Sequence, residues 1–214
     1  MSGGGSIMTK RMQAAEMIRS TRGDLYDANF DPVLAEVRGE AKDLCFDYNY
    51  SVRPSEVGRQ QAILGQLLGR VGAGVTVVAP FWCDYGSNIE LGDGTFLNHN
   101  TVMLDGASIT FGRNVFVAPD CCFSTAGHPL DVERRNLGLE YALPITVEDD
   151  VWIGAGVMVL PGVTIGRGSV IGAGSVVNRD IPAGVVAVGC PCRPIRSITN
   201  KDAEMGQLWR ATSR

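Results

Sequence analysis

From Val147 onward an aliphatic residue returns at every sixth position: Val147, Ile153, Val159, Ile165, Ile171 and Val177. No α-helix carries such a pattern, because a helical apolar face returns every 3.6 residues. Two places before the later anchors stand Val151, Val157, Val163, Ser169 and Ser175, all small or aliphatic. Residues two apart in a strand share a face, so short strands joined by tight corners fit. An earlier block repeats the pattern through Leu91, Leu97 and Met103 and, after a two-residue slip, through Phe111, Val117 and Phe123. Three strands per coil would stack into a parallel solenoid with aliphatic rows as its core. A β-sandwich, with turns every 8–12 residues, does not predict six anchors in strict register. The 27 glycines, about twice the usual share, then have a structural use. Gly154, Gly166 and Gly172 follow their anchors and are expected to turn corners at positive φ.

Composition removes other classes. No apolar run of the 214 residues reaches the ~18 that a spanning helix needs. A net charge of -4 argues against nucleic acid as the main partner. Six cysteines without a C-x-x-C or a secretory leader suggest reduced thiols in a cytoplasmic protein, most of them small core residues. Residues 1–8 (Met1-Ser2-Gly3-Gly4-Gly5-Ser6 and on) read as a flexible leader.

Residues 9–70 read as a helical cap for the open end of the solenoid. Met12, Ala15, Ile18 and Arg19 fall at helical spacing. Asp31-Pro32 looks like an N-cap with proline at the first helical position, followed by Val33, Leu34 and Val37. Ile63, Leu64, Leu67, Leu68 and Val71 form a further apolar stripe begun near Ser55-Glu56. The β-helix then occupies 71–198, interrupted at 124–145 by a Gly-, Pro- and charge-rich segment that should loop out. Residues 199–214 form a tail.

Four motifs carry a family likeness: Thr125-Ala126-Gly127-His128-Pro129-Leu130-Asp131, Cys83-Asp84-Tyr85-Gly86, Asn98-His99-Asn100 and Val151-Trp152-Ile153-Gly154. Together they resemble the hexapeptide-repeat sugar O-acetyltransferases of the maltose and galactoside type, over roughly residues 9 to 198. The resemblance implies an all-β solenoid, a left-handed parallel β-helix with N-terminal helices and an extruded active-site loop. It also implies a homotrimer with sites between subunits, an acetyl-CoA donor, a sugar acceptor and no required metal.

Acetyl transfer to a hydroxyl needs a base, and the chain has two histidines, His99 and His128. The loop motif assigns that role to His128. By resemblance, Asp27, Asp84, Asn98 and Glu140 form the acceptor-binding set, and Glu140 also stands near the base, where it could orient His128. Carboxylates accept several hydrogen bonds, which suits a polyhydroxylated ligand. The same resemblance places the coenzyme along Trp152, Ala155, Ala173, Asn178 and Arg179, with Arg193 and Arg196 on its phosphates. Galactoside relatives carry a second acidic residue where this chain has Gly106, which leans the reading towards a maltose- or glucose-type acceptor. Chitin-type oligosaccharides, surface glycans and antibiotics are the alternative acceptors. A zinc carbonic anhydrase on the same solenoid would need several His ligands, and a non-catalytic scaffold is the remaining rival.

Overall fold

The computed structural model describes residues 23–203 together with Thr9, Lys10, Gln13, Ala14 and Glu16. The leader 1–8, the helical reading at Met12, Ala15, Ile18 and Arg19, and the tail beyond 203 lie outside the described residues. The remainder is a left-handed parallel β-helix in the form of a three-sided prism.

Each coil visits the three faces in one order. A polar face takes Arg70–Val71, Ile89–Leu91, Ile109–Phe111, Ile145–Val147 and Thr164–Ile165. The Trp152 face takes Thr76–Val77, Phe96–Leu97, Phe116–Val117, Trp152–Ile153, Val170–Ile171 and Val185–Val188, closed by antiparallel Arg193–Ser197. The Met158 face takes Phe81–Cys83, Thr101–Leu104, Cys122–Ser124, Met158–Val159 and Val176–Val177. The six-residue anchors all point inward: Leu91, Leu97, Met103, Phe111, Phe123, Val147, Ile153, Val159, Ile165, Ile171 and Val177 are fully buried. Val151, Val157, Val163, Ser169 and Ser175 line the interior corners beside them.

Outward residues distinguish the faces. On one face the row is Arg70, Glu90, Thr110, Thr146 and Thr164. On the next it is Thr76, Phe96, Phe116, Trp152, Val170 and Val186. On the third it is Trp82, Val102, Cys122, Met158 and Val176. Two flat faces are thus apolar outside as well as inside, and one is polar.

The glycines after the anchors do not turn the corners as expected. Positive φ occurs three places after an anchor, at Gly156, Gly168 and Gly174 and also at Asn100, Asn114, Asp120 and Asp150. Asn and Asp tolerate that region, and here they ladder between coils: Asn100 Nδ2 donates to Asp120 Oδ1 at 2.8 Å. Gly154 is needed for another reason. A Cβ there would lie 2.6 Å from the Ala173 nitrogen of the next coil, so only glycine lets the coils close up.

Helix α1, Pro32–Phe46, begins as expected: Asp31 accepts from the Val33 and Leu34 nitrogens. A π-turn follows at Asp47–Ser51, then α2 at Val57–Leu67. The apolar stripe outruns this helix. Leu68 is already extended and Val71 sits in the first strand of the prism. Ala41, Cys45, Tyr48, Leu64 and Leu67 plug the open end against Val75, Val77 and Phe81. Asn49 finishes the plug, donating to the Phe81 carbonyl and accepting from its nitrogen at 2.9 and 2.8 Å, which satisfies an edge that would otherwise be bare. The other half of α1 (Leu34, Val37) packs sideways on Tyr26, Tyr85 and Ala142, beneath the loop.

The 124–145 segment is more structured than a loop. Ala126–Gly127 and Tyr26–Asp27 both pair antiparallel with Leu139–Ala142, giving a three-stranded sheet. Short α3, Val132–Asn136, is capped by Asp131. Of the cysteines, all free, Cys45, Cys83, Cys121 and Cys192 are buried, Cys122 is half-buried and Cys190 exposed.

Candidate active site

Departures from the six-residue period fall on one edge of the prism, where the Met158 face turns into the polar face. There the path leaves Cys83 for Asp84-Tyr85-Gly86, leaves Leu104 for Asp105-Gly106, and leaves Ser124 for the extruded sheet. This edge gathers Asp84, His128 and Glu140.

His128 follows the strand Ala126–Gly127 and is about half exposed. Its Nδ1 lies 3.0 Å from the Leu139 carbonyl, which only accepts, so Nδ1 carries a proton and, in the neutral ring, the lone pair is on Nε2. Glu140 Oε1 stands 3.7 Å from Nε2. The ring is therefore oriented by a backbone carbonyl, and the carboxylate faces the working nitrogen instead of the orienting one. Burial pushes the Glu140 carboxyl up from its ordinary value, partly opposed by His128. Gly127 is fixed by close approach, since a Cβ there would enter the Tyr141 ring.

Asp84 is half-buried, and burial raises its pKa against the pull of Lys42 and Arg38 on α1. Behind it lies Asp105, wholly buried, which no sequence motif singled out. Its Oδ1 accepts from the Asp84 and Tyr85 nitrogens at 3.0 and 2.8 Å, so it shapes the turn that presents Asp84. Its Oδ2 has no partner, and burial, with Asp84 adding to it, drives its pKa up to about 7. Arg38 donates to the Tyr85 hydroxyl at 2.7 Å and to the Ala28 carbonyl, tying α1 to the same turn. Asp27 is exposed on the side of its strand away from Glu140, and its Oδ1 caps a turn by accepting from the Phe30 nitrogen. Tyr26, its neighbour, is the residue that faces Glu140 across the sheet.

The remaining expected residues lie elsewhere. Asn98 and the exposed His99 sit on the edge between the Trp152 and Met158 faces, as do the exposed Ala155 and Ala173, stacked through the Gly174 nitrogen on the Ala155 carbonyl. Within one chain Asn98 is thus separated from His128 by the strand Thr101–Leu104, about 13 Å of chain. Trp152 stands 55% exposed on its face. Asn178 accepts from Arg193 at 3.1 Å, and Arg179 is exposed beside it. Arg196 forks onto Asp202 at 2.9 and 2.7 Å, an engagement within the chain that the sequence did not indicate. Among the described residues no group of three His, Cys, Asp or Glu is placed to hold a metal ion, and no helix is long and apolar enough to cross a membrane.

Comparison with known proteins places this geometry. Residues 19–72 match the maltose acetyltransferase hexapeptide capping motif and residues 144–179 match the bacterial transferase hexapeptide repeats. A putative acetyltransferase of Saccharomyces cerevisiae is 53% identical over 85% of this chain and 92% of its own length. A galactoside acetyltransferase solved in complex with coenzyme A superposes with a TM-score of 0.83 at 41% identity, covering 88% of this chain and 92% of that one. A maltose O-acetyltransferase of Clostridium difficile gives 0.81 at 42% identity, covering 89% and 97%. The chain belongs to the hexapeptide-repeat acetyltransferase family that contains the maltose and galactoside O-acetyltransferases.

Proposed function

We propose that the protein transfers the acetyl group of acetyl-CoA to a hydroxyl of a sugar, with His128 as general base. The observation that supports the reading is the placement of His128: Nδ1 donates to the Leu139 carbonyl, so that in the neutral ring the lone pair is on Nε2, on a half-exposed side chain beside a carboxylate. The donor, bound as substrate, supplies a thioester carbonyl. Nε2 takes the acceptor proton as the hydroxyl oxygen attacks, and Glu140 at 3.7 Å then faces the imidazolium that forms. The same proton is placed to pass to the departing thiolate.

Asp84 and Glu140 accept from acceptor hydroxyls on the loop edge. Gly106 offers no side chain there, and this supports a maltose- or glucose-type sugar over a galactoside. Asn98 and His128 occupy different edges, so an acceptor touched by both is held between two copies of the chain. A homotrimer meets that need: a prism with two apolar outer faces and one polar face buries the first two against neighbours around a threefold axis. Phe116 and Trp152 on one face and Met158 on the other are roughly half exposed in the single chain. The coenzyme then runs along the Trp152–Ala155–Ala173 edge towards Asn178, Arg179, Arg193 and Arg196. Arg193 is held in place by Asn178, while Arg196 must leave Asp202 to reach a phosphate.

The test is thiol release from acetyl-CoA with maltose, glucose, a β-galactoside and a chitin oligosaccharide, for wild type and His128→Ala. Turnover with maltose or glucose that falls roughly 10²–10⁴-fold in the variant, with coenzyme binding kept, is the expected result. An unchanged rate removes His128 from the chemistry and turns attention to His99.

A further inference from the structure

Two buried side-chain atoms among the described residues lack a hydrogen-bond partner: Asp105 Oδ2 and the Tyr26 hydroxyl. The second lies in a row of three. Tyr26 pairs with Glu140 across one side of the loop sheet. On the other side Ala126 pairs with Ala142 and Gly127 with Tyr141, which brings His128 opposite Glu140. Directly opposed residues in antiparallel strands point to the same side. His128, Glu140 and Tyr26 therefore stand in line across the sheet, with the carboxylate in the middle.

We infer that Tyr26 is a positioning residue for the proposed acetyl transfer: its hydroxyl, supplied by the N-terminal segment, holds the Glu140 carboxylate towards His128. Space for that hydroxyl exists because residue 106 is glycine, since a Cβ there would lie 3.0 Å from the phenol oxygen. The ring is anchored among Leu34, Val37, Tyr85 and Ala142. Asn29 donating to the Gly138 carbonyl at 2.8 Å fixes the segment to the loop. The groups facing Glu140 are His128, Asp84, Arg38 and Tyr26, and those facing Tyr26 are Tyr85, Glu140, Asp84 and Arg38. Among them Tyr26 brings a neutral hydroxyl that has no other partner, and the carboxylate opposite it in the row is the acceptor it can take. Arg38 is already spent on Tyr85 and Ala28.

The inference rests on the acetyl-transfer reading for its kinetic consequence but not for its geometry, and the experiment separates the two. Tyr26→Phe removes one oxygen and leaves the ring in its cluster. The Glu140 carboxyl carbon, followed by NMR across pH 4 to 8, should titrate at higher pH in this variant. With a turned-over acceptor, kcat should fall about tenfold, the worth of one hydrogen bond to a charged group, with KM for acetyl-CoA unchanged. Gly106→Ala should move the Glu140 titration in the same direction by less, through displacement of the hydroxyl alone. In a Glu140→Gln background, Tyr26→Phe should have no further effect on kcat. An unmoved Glu140 titration in Tyr26→Phe overturns the inference. Absence of turnover with every acceptor, alongside a moved titration, leaves Tyr26 in its place and sinks the acetyl-transfer reading instead.

Discussion

Replacing Asp105 with Asn should stabilise the protein above neutral pH and leave it unchanged near pH 4. The carboxyl is wholly buried, its Oδ2 is unpartnered, and its pKa is driven from 3.8 to about 7. The folded state holds this proton more tightly than the unfolded chain does. Stability is therefore complete below the unfolded value, falls as pH rises from about 4 to about 7, and levels off beyond. At about 1.4 kcal/mol per pH unit, three units amount to a loss on the order of 4 kcal/mol. Asparagine keeps an acceptor for the Asp84 and Tyr85 nitrogens and resembles the neutral acid at Oδ2, so it escapes the loss. Urea unfolding of both proteins at pH 5, 6, 7 and 8, at one protein concentration, reads the difference directly. The gap should stand at about 1.5 kcal/mol at pH 5 and widen to about 4 kcal/mol in favour of the variant by pH 8. A gap independent of pH, or an asparagine variant that is weaker throughout, would refute the reasoning and show that Asp105 is charged and satisfied at neutral pH.

Three further outcomes follow from the packing. Phe116→Glu places a charge in the Phe96–Phe116–Trp152 row, and sedimentation of both proteins should show the proposed trimer for wild type and a folded monomer without acetyl transfer for the variant; the same oligomeric state in both would refute the placing of this face in the interface. Gly156→Asn should be nearly neutral in thermal unfolding, because asparagine already takes positive φ at Asn100 and Asn114 and no atom lies within 4 Å of an added Cβ. Gly154→Asn should instead cost about 3 kcal/mol or more, since its Cβ meets backbone of the next coil.

The core was legible because a β-helix repeats one local decision, and the six-residue anchors from Val147 to Val177 are its direct trace. The role of the glycines was misread because two requirements, close approach and left-handed φ, both favour the same residue and differ only in their place in the coil. Asp120 and Asp150 carry the second requirement without being glycine, which hid the rule. At the site, His128 stood out through its motif and Asp84 through its neighbours. Asp105, Tyr26 and Arg38 did not, because each acts across a long stretch of sequence: α1 reaches the Asp84 turn, and Tyr26–Asp27 pairs with a strand more than a hundred residues later. No local periodicity encodes such pairings. Asp27, named through its motif, and Tyr26 lie on opposite sides of the loop sheet, because neighbours in a strand alternate sides: Tyr26 stands opposite Glu140 and Asp27 is exposed.

The placement of the chemistry follows from the same repeat. A regular coil offers only short corners, and their backbone groups are occupied by the coils above and below. Any added residue must therefore leave from a corner whose length is free to vary. Here the slip between Met103 and Phe111, the turn at Asp84-Tyr85-Gly86 and the extruded sheet share one edge, in successive coils. Stacked variation of this kind builds a wall of polar side chains against a rigid prism, and α1 with Tyr26 closes that wall from outside. The opposite edge of the Met158 face stays regular, with Asn98, Ala155 and Ala173 in small, repeating corners that suit an extended ligand lying close to the main chain. One chain carries both edges but holds them apart by a full face. A site that needs both is completed by a second copy, and the apolar rows on the two faces beside Ala155 and Ala173 give that copy a surface to bury.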